Sequence, residues 1–215
     1  MKSTVNFSYE ALYYLSHSPT GKEKEIWVVL HGYGQLAEFF LRKFTPFSNE
    51  DRLILAPEGT NYSYLKEFHG RIGANWMTSY ERELAIANNH RFLDQVLKNL
   101  LEHYLIPPKI HVLGFSQGAA TATRWISHWT GQVSSLILWA GGFAHDLNLD
   151  LAREKFAKAR LILVTGDQDE WITEEQIKKQ EAFIQQLEVP ITRLTFQGGH
   201  EIEGSLVEKI LKQEI

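Results

Sequence analysis

Residues 114–118 read Gly-Phe-Ser-Gln-Gly, a G-x-S-x-G pentapeptide. Alone the pattern is a weak signal. Its setting is sharper, because it follows an apolar run at 109–115 (KIHVLGF) and opens a helical stretch at 117–130. A strand–turn–helix holds such a serine in a strained backbone conformation, and the flanking glycines avoid side-chain clashes across the turn. The amino end of the helix adds positive potential where an oxyanion would develop. The ordinary alternative is a serine that caps a helix after a strand.

A serine hydroxyl is a poor nucleophile without a base, and the base needs an orienting partner. At an elbow of this type the acid follows the serine in sequence and the histidine follows the acid. Two loops have that order. The strand at 160–165 (RLILVT) runs into Gly166-Asp167-Gln168-Asp169-Glu170, and the strand at 191–196 runs into Gln197-Gly198-Gly199-His200. His200 therefore has the best case among nine histidines. His31 also follows a strand but lies far upstream, and His111 lies inside a strand as a structural residue. His17, His90, His103 and His128 read as surface or partly buried fillers, and His69 and His145 fall in loops. Asp167, Asp169 and Glu170 all occupy the acid's loop, and spacing does not choose among them. The same cluster fails the EF-hand calcium pattern, which needs an oxygen residue at Trp171 and then a glycine. A metal-hydrolase reading lacks H-E-x-x-H and every cysteine ligand, so neither metal nor cofactor is expected.

Hydrolysis through such a serine also needs rigid backbone donors for the oxyanion. The N–H of Gln117, directly after the serine, is one. A second should come from an earlier strand end, and His31-Gly32-Tyr33-Gly34 is the candidate because its glycines let the backbone turn inward. Trp76, Trp139, Phe143 and Trp171 lie in or beside strand-end loops. They are candidates to line an acyl groove, with plain core packing as the alternative.

The elements that would position these residues alternate. Strands are expected at 9–16, 25–30 (EIWVVL), 52–56, 109–115, 133–140, 160–165 and 191–196. Helices are expected at 35–44, 79–105, 117–130, 174–187 and 205–215. The long helix carries Leu93, Val96, Leu97, Leu100, Leu101 and Tyr104 at three- and four-residue spacing. Residues 57–78 read as an unusually long loop, and any lid must come from loops such as this one. The fold class is therefore α/β, with a mostly parallel central sheet, helices on both faces and no separate lid domain. Ligands of such sheets sit beyond the carboxyl ends of the strands.

Composition agrees. The chain has 215 residues, 44% hydrophobic and 22% charged, with no linker or repeat, so one domain over 1–215 is expected. The net charge is −4 and no basic run stands out, which disfavours nucleic acid as a partner. The start lacks a signal-peptide core and no apolar run could span a bilayer, so the default location is cytoplasmic. With no cysteine, disulfides and a cysteine nucleophile are excluded.

Taken in order, LHGYG at 30–34, APEG at 56–59, NW at 75–76, GFSQG at 114–118, GDQD at 166–169 and GGH at 198–200 resemble the phospholipase/carboxylesterase family. That family comprises small serine hydrolases of the α/β-hydrolase fold and includes the acyl-protein thioesterases. The resemblance implies Ser116 as nucleophile, His200 as base and Asp169, the aspartate of G-x-x-D, as the acid. It implies the N–H groups of Tyr33 and Gln117 as oxyanion donors, no cofactor, and a small acyl ester or thioester as substrate. The chain departs from HGLGD in having Tyr33 and Gln35, and has Ala119 where a glycine often stands. With so little chain left over, an open, shallow site and a permissive esterase are expected.

Overall fold

A computed structural model describes residues 2–212 and 214. Its first strand, β1 (Tyr13–Leu15), lies at a sheet edge and is antiparallel to its neighbour. Next come β2 (Glu25–Leu30), α1 (Ala37–Leu41) and β3 (Arg52–Pro57). A hairpin of β4 (Asn61–Lys66) and β5 (His69–Asn75) leads into α2 (Arg82–Leu101). The rest alternates: β6 (Lys109–Phe115), α3 (Gln117–His128), β7 (Ser135–Trp139), α4 (Leu149–Phe156), β8 (Arg160–Gly166), α5 (Glu174–Leu187), β9 (Ile191–Phe196) and α6 (Gly204–Leu211). The central sheet has the order β1-β3-β2-β6-β7-β8-β9, parallel throughout except for β1.

The strand pattern explains the two cores. All six residues of β2 are buried, as a strand covered on both faces requires. Its Ile26, Val28 and Leu30 pack on one face with Leu93, Val96, Leu97 and Leu100 of α2, Trp125 of α3, Phe156 of α4 and Leu187 of α5. Its Trp27 and Val29 pack on the other face with Phe40 of α1 and Val207 and Ile210 of α6. The period of two thus divides one strand between two helical layers.

Several elements differ from the sequence reading: β1 covers only 13–15 of the expected 9–16, and α1 only 37–41 of 35–44. Residues 57–78 are mostly hairpin rather than loop. Every residue of β4 and the first four of β5 are exposed, so no burial pattern marked them as strands. Helix α4 was not anticipated, because it buries only Ala152 and Phe156; Asn148 caps it by accepting from Leu151 N–H at 3.1 Å. Helix α2 is shorter at both ends than 79–105, and Glu81 at its start makes no side-chain cap. Residues 213 and 215 of the expected last helix lie outside the described residues. Among the described residues no helix is long and apolar enough to cross a membrane.

The turn entering β2 carries a pH-sensitive group. Glu23 is buried, and Thr20 N–H donates to its Oε1 at 2.9 Å. Burial pushes the carboxyl up, but hydrogen bonding to the Thr20 turn outweighs this and holds it at about 2. A depressed folded value means stability that is present above the ordinary carboxylate range and lost as pH falls toward 2. Urea denaturation from pH 5 to pH 2 should show a loss on the order of 2 kcal/mol that Glu23→Gln abolishes. Equal acid sensitivity in the two proteins would show that Glu23 is not the group responsible.

Candidate active site

Ser116 stands between β6 and α3 with φ 54° and ψ −116°. Such a conformation costs a non-glycine residue roughly 1–3 kcal/mol and persists only where its surroundings enforce it. Here Ser116 N–H donates to Trp139 O of β7 (2.9 Å), and Ser116 O accepts from Ala119 N–H (3.0 Å). The flanking glycines are steric necessities. A Cβ on Gly114 would overlap the Gly118 carbonyl, and one on Gly118 would overlap the Leu30 carbonyl. The elbow therefore packs directly on the end of β2, the strand that leads into the 31–35 turn. Gln117 N–H, at the first position of α3, has no protein partner among the described residues.

His200 follows β9, and its Nδ1 lies 2.8 Å from Asp169 Oδ2. A carboxylate only accepts, so Nδ1 carries a proton, and in the neutral ring this leaves Nε2 as the acceptor. The Asp169 side chain is 0% exposed and that of His200 is 23% exposed, so the carboxylate is shielded and the imidazole is open. Asp169 Oδ1 accepts from Trp171 N–H (3.0 Å), which fixes the carboxylate plane. The structure thereby separates the three acids that spacing left equivalent. Asp167 Oδ1 instead accepts from Gly198 N–H (3.0 Å) and holds the histidine loop, while Glu170 is exposed. The His200 ring packs 4.9 Å from that of Phe115, the residue before the serine. Ser116 Oγ makes no hydrogen bond to His200 among the described residues. Hydrogen bonds of this kind often tighten only when substrate binds.

The turn after β2 is braced by its own histidine, which the sequence reading set aside. His31 is fully buried and stacks on Trp76 at 5.0 Å. Its Nδ1 donates to Gly32 O (2.7 Å) and its Nε2 accepts from Gly59 N–H (2.9 Å). That pattern requires a neutral ring, and burial pushes its pKa down to about 4. The Tyr33 N–H has no protein partner among the described residues. Gln117 ties this corner together, since its Oε1 accepts from Trp76 N–H (2.9 Å) and its Nε2 donates to Met77 O (2.8 Å).

Of the four aromatics near the strand ends, three are core residues. Trp76 and Trp139 are fully buried and donate their Nε1–H groups to His31 O (2.8 Å) and Glu201 O (2.7 Å). Phe143 packs between Phe156 and Phe183. Large apolar rings with one polar handle favour such sites over solvent. Trp171 differs: it is 73% exposed, with its ring 6.3 Å from that of His200. Tyr33 on the turn and Leu65 on the hairpin are also exposed, and Leu65 lies against Gly34. Among the described residues no group of three or more His, Asp or Glu side chains is arranged to hold a metal ion.

Comparison with known proteins places this geometry in context. The profile of the phospholipase/carboxylesterase family matches residues 16–213. No curated sequence matches the chain. Among solved structures, esterase PE8 superposes with a TM-score of 0.71 at 20% identity, over 96% of this chain and all of its own. Acyl-protein thioesterase 2 of Zea mays gives 0.71 at 16% identity, over 95% and 98% of the two chains. A phospholipase/carboxylesterase from Dyadobacter fermentans gives 0.67 at 18% identity, over 96% and 99%. These likenesses establish the α/β-hydrolase fold. The family match covers nearly the whole chain: the protein belongs to the phospholipase/carboxylesterase family of hydrolases.

Proposed function

We propose that the protein is a single-domain serine carboxylesterase acting on short- to medium-chain acyl esters, with Ser116 as nucleophile, His200 as general base and Asp169 as its orienting acid. The observation that carries this reading is the strained Ser116, held at φ 54° between β6 and α3, together with Asp169–His200, the one Asp–His pair at the neighbouring strand ends among the described residues. His200 Nε2 takes the Ser116 proton as Oγ bonds to the acyl carbon. The carbonyl oxygen becomes an oxyanion, and the N–H groups of Tyr33 and Gln117 stabilise it. The tetrahedral species collapses by breaking the bond to the leaving oxygen, which receives the proton from His200. Water then repeats the sequence, releasing the carboxylic acid and restoring Ser116. Asp169 orients the imidazole and stabilises the imidazolium in both halves.

Thioesters and lysophospholipids are the second reading, and the exposed Trp171, its ring 6.3 Å from that of His200, favours it, because an exposed apolar ring beside the base suits a longer chain. Comparing kcat/KM for matched ester, thioester and lysolipid series separates the two. A rise with chain length favours the second reading, and a flat profile the first. A fluorophosphonate probe should label Ser116 in the folded protein. Absence of labelling and of p-nitrophenyl butyrate hydrolysis would leave a non-catalytic binding module on this fold.

A further inference from the structure

Three of the four backbone N–H groups of the 32–35 turn are engaged inside the protein. Gly32 N–H donates to the side-chain Oε1 of Gln35 at 2.8 Å. Gly34 N–H donates to Ala74 O of β5 (2.8 Å), and Gln35 N–H donates to Gly32 O (3.3 Å). Gln35 O in turn accepts from Ala74 N–H (3.2 Å). Tyr33 N–H alone among the four has no protein partner among the described residues.

One peptide plane decides where that N–H points. The carbonyl of Gly32 and the N–H of Tyr33 belong to the same planar unit and face opposite ways. Gly32 O is drawn inward by Gln35 N–H and by His31 Nδ1, which turns Tyr33 N–H outward. Gln35 also grips the other side of the same residue through Oε1 on Gly32 N–H. Gly32 is buried, so without that acceptor its N–H would be left unsatisfied, at a cost of about 1–3 kcal/mol. The turn would then rotate to find another partner.

Resting on the ester-hydrolase reading, we propose that Gln35 is a positioning residue for the oxyanion site. Its side-chain carbonyl locks Gly32, sets the peptide plane between Gly32 and Tyr33, and so aims Tyr33 N–H at the carbonyl oxygen of the substrate. Gln35 does not touch the reacting atoms. Its effect belongs to the transition state, where the oxygen carries charge, and not to ground-state binding.

The test uses two side chains of similar reach in the full-length protein. Gln35→Met removes the oxygen acceptor, and Gln35→Glu keeps it. The Met variant should lose about 10- to 100-fold in kcat toward p-nitrophenyl butyrate, part of what a missing oxyanion donor costs. Its KM should stay within about threefold, as expected for an interaction made only in the transition state. Its Gly32 amide should exchange with deuterium at least about tenfold faster than in the wild type. Gln35→Glu should keep that amide protected and retain more of kcat than Gln35→Met.

A Met variant with wild-type kcat, with a change in KM alone, or with a protected Gly32 amide overturns the proposal. So does a folded Glu variant whose Gly32 amide is unprotected. A wild-type protein that takes no fluorophosphonate overturns the hydrolase reading instead, and the exchange of Gly32 still decides whether Gln35 holds the turn.

Discussion

Ser116→Ala should lower kcat for p-nitrophenyl butyrate by at least about ten-thousand-fold, the scale on which removal of a triad nucleophile acts. The loss should appear without a loss of fold. Alanine fits the space of serine, and the side chain of Ser116 caps no helix. What persists in the alanine variant is the backbone strain, because φ 54° disfavours any side chain with a Cβ. Ser116→Gly separates the two contributions. It should be as inactive as alanine yet more stable by up to about 1 kcal/mol, after the added chain entropy of glycine is subtracted. Urea midpoints and kcat measured on the same preparations check both halves. An alanine variant within tenfold of wild type would remove Ser116 from the chemistry, since none of the proposed steps survives its loss.

The strain at Ser116 also shows what could be read from residues alone. The pentapeptide and its strand–helix setting announced the elbow, because its glycines are required by overlap with Gly118 and Leu30 carbonyls. Strands such as EIWVVL and RLILVT declared themselves as continuous aliphatic runs, which is what burial on both faces demands. The β4–β5 hairpin had no such signature, since its exposed residues are not selected for apolar periodicity. Trp76, Trp139 and Phe143 read as residues in or beside strand-end loops, but position along the chain does not say whether a ring turns inward or outward. His31 and Gln35 act through side-chain bonds to backbone at Gly32 and Gly59, one of them 28 residues away. No local pattern carries that pairing. Spacing left the acid open among Asp167, Asp169 and Glu170 for the same reason, and the choice of Asp169 rested on the family resemblance alone, because local sequence does not say which distant loop atom each carboxylate meets.

That difference makes Asp169→Asn the most informative single change at the site. Asn is nearly isosteric, and the environment fixes its orientation. Trp171 N–H points at Oδ1 of Asp169, so the amide oxygen of asparagine must take that position and its NH2 group must face His200. A donor facing Nδ1 forces the imidazole into the opposite tautomer, with its proton on Nε2 and no lone pair for Ser116. The expected fall in kcat is about 10³- to 10⁴-fold, from a wrong tautomer and a lost stabilising charge. Asp167→Asn supplies the contrast. Its carboxylate accepts one bond, from Gly198 N–H, and an amide oxygen can replace it, so its kcat should stay within about fivefold. If instead Asp167→Asn is the more damaging change, then the carboxylate serving His200 during turnover is not the one 2.8 Å from it in the resting protein. In that case the histidine loop must rearrange between Asp169 and Asp167 on substrate binding.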